Sequence, residues 1–485
     1  MNNTNQKKEI YNSILLKKLS STLSKYNNKF DCLFYILLSL NFLIYFLNST
    51  YIIPSDFQSH FFYNLLILTI KFCFVIVGSL HIIHNLLTSN LISSDKYMNI
   101  FITIIAFMYL FFSFSDDSSE IFDFLFCIAA CAGKSSKKIL KYLLWGGSAI
   151  MLSAILLSQA GLINDWIILP GRHSLGTNYC TDCGAHILFL AIIYIIYKEY
   201  QISISNFLIL LFLFELCFFI VMAKTASICI FLLIIGLFIE KIYLVKFKKS
   251  FLRLFRYFML LIFPIAYTVF SIFTVIYTLS PSFFPNNTFT SRLDLTSKGF
   301  QMYDLSFFSQ EIIQHGNGGN NGAAINASSN SVFLFDIEKN GLSHFLYAIF
   351  ILFFITCAIF LLNKKKSFSG ISFAIIASML LIAPGIAAIL GDRSFAMHKV
   401  TTDYFWLDCS YIRILLSNGI IVFLTIMIIS SYIQWKALLK KDYLFMFIMC
   451  IIALDCTIEH HLTDISYNII FMLAFTDYLT SKSNV

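Results

Sequence analysis

Apolar runs, each close to the length of a membrane helix, recur along the chain with short polar stretches between them. By window they fall at 31–49, 61–83, 98–114, 121–133, 139–160, 185–198, 203–222, 226–244, 257–279, 344–362, 371–390, 411–433, 443–455 and 466–480. A spanning helix needs about 20 predominantly apolar residues. The pattern therefore predicts an all-α polytopic integral membrane protein with about 14 transmembrane helices, or about 12 if the short runs 121–133 and 443–455 are discounted. Five parts follow: a cytoplasmic tail (1–30), a first transmembrane bundle of about nine spans (31–279), a large extracytoplasmic loop (280–343), a second bundle (344–480) and a cytoplasmic tail (481–485). In the long loop, Leu293, Leu295, Phe300, Tyr303, Leu305, Phe307 and Phe308 predict an amphipathic helix at the interface. The run GNGGNNGAAINASSNS that follows (316–331) can bury almost nothing.

Composition agrees. The chain is 58% hydrophobic and only 12% charged, against about a quarter charged for soluble domains. The first thirty residues are polar and Lys-rich, so no cleavable signal peptide is expected. A net charge of +8 raises the question of a nucleic-acid partner, but its distribution answers it. With the N-terminus inside, 25 of the 34 Lys and Arg fall on inner segments, as the positive-inside rule requires. The surplus is a topology signal, with membrane lipid rather than nucleic acid as the partner.

Four loops, 161–184, 280–343, 391–410 and 456–465, share the outer face and carry the candidate chemistry. In GRHSLGTNYCTDCGAH, Arg172 either binds an anion through its two-pronged guanidinium or merely snorkels from a helix end. Asp182 and His186 lie four apart, hence on one helical face; the bland account makes Thr181 or Asp182 an N-cap. Arg292 sits beside the amphipathic helix, open to a lipid diphosphate or to a pair with Asp294. In LDCSYIRILLSNGI, Asp408 and Tyr411 stand at a span's mouth, and Asp408 either meets substrate or pairs with Arg413. IEHHLTDISYN brings Glu459, His460, His461 and Asp464 together: a solvated turn, a metal site or a source of a general base. Adjacent histidines on a short turn argue against the metal. Within the bilayer, Lys71, Asp123 and Glu215 are notable, and a Lys71–Glu215 ion pair is the favoured structural reading. Cys180, Cys183, Cys409 and Cys456 map near the outer face, where a disulfide or zinc site is a minor alternative to plain packing.

The ordered set RHSLGTNYCTDCGAH, SRLDLTSKGF, LDCSYIRILLSNGI and EHHLTDISYN resembles bacterial Wzy-type polysaccharide polymerases, relatives of the O-antigen ligases, over about residues 100 to 475. That resemblance implies a glycosyltransferase of the bacterial cytoplasmic membrane with its active face outside. It would polymerise undecaprenyl-diphosphate-linked oligosaccharide repeat units into O-antigen or capsule, with a flippase and a chain-length regulator as candidate partners. It needs no cofactor and no metal. The family's diphosphate-binding arginines map onto Arg172 and Arg292; the base falls to His460, His461, Glu459 or Asp408; Asp182, His186 and Tyr411 are further substrate contacts. The chain departs from the family in having Cys183-Gly184-Ala185 where Phe-Ala-Ala is usual, and in an added hairpin, 344–390, ahead of Asp408. A glycan ligase would share the chemistry. A flippase or other transporter is the rival class, disfavoured by the absence of an internal repeat and by polar residues gathered at one face.

Overall fold

The computed structural model describes residues 27–480 apart from 89–92, 113–117, 168–170, 202, 244–257, 286–287, 304, 307–308, 311, 313 and 315–404. The expected hairpin 344–390 with its Lys364–Lys366 turn, the run 316–331 and the tails 1–26 and 481–485 lie outside the described residues. Among the described residues the architecture is all-α, with only isolated β-bridges.

The helices follow the apolar runs closely. They are α1 (Asn27–Asn48), α2 (Phe61–Thr88), α3 (Ser93–Phe112), α4 (Ser118–Ala130), α5 (Ser136–Gln159), α6 (Cys180–Tyr197), α7 (Ile204–Glu215, continued by a π turn at Leu216–Ile220), α8 (Lys224–Tyr243) and α9 (Ile262–Leu279). The predicted amphipathic helix is α10 (Thr288–Met302); α11 (Ser410–Lys440) and α12 (Tyr443–Asp455) complete the set. Among the described residues, six stretches are long and apolar enough to cross a membrane: Phe30–Asn48, Phe61–Asn85, Ser136–Gln159, Cys180–Tyr197, Ile262–Leu279 and Ser410–Lys440. Large apolar side chains line the outside of the bundle. On α2, Leu68 and Phe72 are each 64% exposed, and on α7 Phe212 is 62% exposed. A surface of this kind is at home in lipid and not in water.

The two ends of the bundle differ in charge. One end is rich in lysine. Here Lys134 pairs with Asp31, Lys137 reaches Glu199 at 3.2 Å, and the Lys440 ammonium donates to the Tyr478 carbonyl. The other end holds the loops after α1, α5 and α12 and the start of α11, and carries the candidate residues.

The last apolar run departs from expectation. Residues 466–480 were predicted to be a spanning helix, but they form turns, a 3-10 helix at Ile470–Phe475 and a single helical turn at Asp477–Thr480. The segment nevertheless runs from the site end to the lysine end, where the Gly133 amide donates to the Phe475 carbonyl at 2.8 Å. Backbone that departs from the α-helix at membrane depth needs protein around it to satisfy its polar groups, and Ile470 to Phe475 are wholly buried. Part of that satisfaction comes from Lys436 on α11, which donates to the Ala474 carbonyl at 3.1 Å and pairs with Asp95 on α3 at 2.9 Å.

α11 is itself interrupted. A π turn at Ile414–Asn418 is followed by Gly419 at φ +83, a conformation that strains any side chain bearing a Cβ. The backbone groups freed by the break are taken up by the strand of chain leaving α10. The Gln310 amide donates to Ser417 O at 2.9 Å, Gln310 Nε2 to Leu416 O at 2.8 Å, and the Ile420 amide to Ser306 O at 2.9 Å. This stitching ties α10, and with it Arg292, to the head of α11.

The expected Lys71–Glu215 pair is not formed. α2 packs against α1 and α4, not α7, so Lys71 pairs with Asp123 of α4 at 2.9 Å while Glu215 is exposed. Apolar periodicity marks the buried face of a helix without naming the helix that covers it.

Candidate functional site

Arg172 rises from a loop that is more ordered than its Gly and polar content implies. Asp165 accepts the Leu175 amide at 2.9 Å and meets His173 Nδ1 at 2.6 Å, while Ser174 Oγ accepts the Trp166 amide at 2.8 Å. Thr177 bridges to Thr50 at the end of α1, and the Asn178 amide donates to Ser49 O at 2.9 Å. On this base the Arg172 guanidinium lies 5.7 Å over the Tyr179 ring. Tyr179 also feels the charges of Arg292 and Asp408, so both arginines lie within electrostatic range of one aromatic.

Arg292 forms an ion pair with Asp408, both partners being largely buried. The pairs open to these residues as alternatives to a substrate role, Asp408–Arg413 and Arg292–Asp294, give way to this one. Arg413 instead lies 5.6 Å over the Trp406 ring, and Asp294 pairs with Lys298 one turn on at 2.7 Å. Burial pushes the Asp408 carboxyl up to about 6, against the pull of Arg292, Arg413 and His461.

The 456–465 stretch is not a solvated turn. Glu459, His461, Leu462 and Thr463 are buried. The stretch is held to α11 by Ser410, whose amide and hydroxyl donate to Glu459 O at 3.2 and 2.6 Å, and whose oxygen accepts the Leu462 amide at 3.2 Å. His461 stands between two carboxylates: Nε2 is 4.0 Å from Asp182 and Nδ1 is 3.8 Å from Asp455. Those distances are too long for hydrogen bonds but carry strong attraction in a dry setting. Burial alone would depress the imidazole; Asp182, Asp455 and Glu459 outweigh it and raise it to about 10. His461 is therefore a fixed cation, the wrong protonation state for a base. His460 goes the other way. Burial first, then the charges of His461, Arg413 and Arg292, drive it well below 6.5, so its ring is neutral. Burial raises Glu459 to about 7, against His461 and Arg292.

Two residues turn out to be framework. Tyr411 is fully buried and its hydroxyl donates to Ala453 O at 2.8 Å, locking α11 to α12. His186 is equally buried, stacked between Phe46 (3.9 Å) and Tyr467 (4.1 Å), with Nε2 2.6 Å from Ser49 Oγ. It supports the floor under Asp182. The two do share a helical face, as their spacing predicts, and Tyr467 touches both. The cap of α6 is Tyr179, not Thr181 or Asp182. Gly184 admits α8: a Cβ there would lie 2.3 Å from that of Ala223. Cys180, Cys183, Cys409 and Cys456 are buried thiols without disulfides. Sequence reasoning missed Asp455, which reads as the last residue of an apolar run but is the second carboxylate on His461.

Glu459, His460 and His461 offer possible metal-ligand atoms within 4.8 Å of one another. Zinc, with ligands at about 2.1 Å, needs them about 3.4 Å apart and needs neutral imidazoles. No protein-family model matches the chain, and neither a characterised protein nor a solved structure matches it.

Proposed function

We propose that this protein polymerises lipid-linked oligosaccharide repeat units at the extracytoplasmic face of a bacterial cytoplasmic membrane, as the Wzy-type resemblance implies. The carrying observation is the convergence, at one end of a lipid-facing helical bundle, of two arginines with a buried carboxylate poised near neutrality. Arg172, Arg292, Asp408, Asp182, Glu459 and His461 come from four separated stretches of sequence and meet there. The opposite, lysine-rich end would face the cytoplasm by the positive-inside rule.

In this reading the acceptor sugar hydroxyl attacks the anomeric carbon of the donor glycan. The bond from that carbon to the phosphate oxygen breaks, and its electron pair leaves on undecaprenyl diphosphate. Arg172 and Arg292 neutralise the charge that develops on the leaving group, a preorganised electrostatic role. Diphosphate replaces Asp408 as the partner of Arg292. Glu459, at about 7, has the affinity suited to accepting the hydroxyl proton near neutral pH. His461 supplies fixed positive charge beside it.

Deletion of the gene tests the reading. Cells should keep single repeat units and lose long surface chains. Restoring the gene with Arg172→Ala or Arg292→Ala should fail to restore them at equal protein level. Long chains in the deletion strain would sink the proposal; lipid-linked units stranded on the inner leaflet would point to a transporter.

A further inference from the structure

Behind the charged cluster lies a second compartment. A cavity of about 110 Å³ opens beside His460, walled by Glu120, Trp406, Arg413, Asn418, His460 and Asp464. Arg172, Arg292, Asp182 and His461 do not border it. The 459–464 stretch is the partition. Glu459 and His461 belong to the charged side, whereas His460, Thr463 and Asp464 face the cavity.

The walls have a definite chemistry. Two carboxylates, Glu120 and Asp464, outnumber the single guanidinium of Arg413, and the His460 ring is neutral. Burial raises the Asp464 carboxyl above its ordinary value, so the wall is polar rather than strongly charged. It suits a neutral or amino-bearing ligand with many hydroxyls, which donate to carboxylates and accept from guanidinium and amide groups. The donors and acceptors are held in place. Asn418 Nδ2 donates to the Tyr109 hydroxyl at 2.9 Å, and Asp464 Oδ1 accepts from both the amide and the hydroxyl of Ser466 at 2.7 Å. Trp406 adds an apolar surface among these polar groups, its indole steadied by Arg413 and by an edge contact with His460 at 6.3 Å. An aromatic plate within a ring of fixed polar groups fits the apolar C–H face and the hydroxyl rim of a pyranose.

We infer that this cavity binds a sugar ring of the acceptor glycan, placing its hydroxyl across the partition from the diphosphate-binding arginines. The inference rests on the polymerase reading and adds to it a separate acceptor subsite.

The test uses the full-length protein in detergent and, as probe, the free oligosaccharide released by mild acid from the same cells' lipid-linked repeat units. Wild type should bind it, read by saturation-transfer NMR and calorimetric titration. Trp406→Ala and Asn418→Ala should each weaken binding at least tenfold, Trp406→Phe should largely keep it, and Arg172→Ala should leave it unchanged. Thermal unfolding of each variant confirms that it is folded. Equal binding by wild type and Trp406→Ala, or no binding by wild type, overturns the subsite. A cell that still makes long chains without this gene overturns the polymerase reading instead, so the two failures are distinguishable.

Discussion

Arg292 on α10 and Asp408 at the head of α11 form a buried ion pair that joins the amphipathic helix to the rest of the site. Removing one partner strands the other charge, at a cost of about 3–5 kcal/mol. Arg292→Ala and Asp408→Ala should each lower the unfolding temperature of the purified protein. The exchange Arg292→Asp with Asp408→Arg should recover much of that loss but not the long surface chains, because the guanidinium has moved. Recovery of both would make the pair purely structural.

The contribution of Glu459 and His461 to stability should fall as pH rises, while that of His460, held neutral in the folded state, should rise through its unfolded value of 6.5. The native Glu459 carboxyl keeps its proton to about 7, whereas an unperturbed one releases it at 4.5; the native His461 keeps its proton to about 10 against 6.5. For both, the folded state binds protons more tightly, so the contribution is complete below the unfolded value and is lost as pH passes the folded one. Between pH 5 and 8 Glu459 accounts for on the order of 3 kcal/mol. Unfolding temperatures measured across that range isolate it: Glu459→Gln, which mimics the protonated carboxyl at every pH, should gain on wild type as pH rises from 5 to 8. An unchanged slope in the variant would contradict the assignment.

Lys436 and Asp95 form a buried pair beneath the terminal segment, at 2.9 Å. Lys436→Met should destabilise by about 3–5 kcal/mol by orphaning Asp95, and adding Asp95→Asn should restore part of it. Loss of helix-to-segment packing would show as faster proteolysis after residue 465. Equal stability of the single variant and wild type would mean that the pair does not hold this segment.

Gly184→Ala should cost about 1–3 kcal/mol, because its Cβ meets that of Ala223 where α6 crosses α8. The measurement is thermal unfolding in detergent. A neutral result would mean that the two helices separate freely.

Much of this was legible in the chain. Uninterrupted apolar runs located α1 to α9, α11 and α12, since only helices bury their own backbone polar groups in lipid. Alternating sides, and the lysines that mark one of them, were enough to bring Arg172, Arg292, Asp408 and Glu459 to one end. Partners were harder. Lys71 was matched with Glu215 and Asp408 with Arg413 because periodicity does not say which helices touch. The run 466–480 has the composition of a helix, and only the enclosure of Ile470–Phe475 lets it be something else. Nor could sequence separate the two adjacent histidines, which differ only in what surrounds them: carboxylates around His461, cations around His460.

The most direct test of the central claim is reconstitution. Purified protein in liposomes would be given undecaprenyl-diphosphate-linked repeat units from the same cells, and the products resolved by size. The account predicts a ladder of glycans with release of undecaprenyl diphosphate. It further predicts at least a hundredfold loss of rate in Arg292→Ala and Glu459→Gln, and no effect of a chelator. Lipid-linked units that remain single with folded wild-type protein would contradict it.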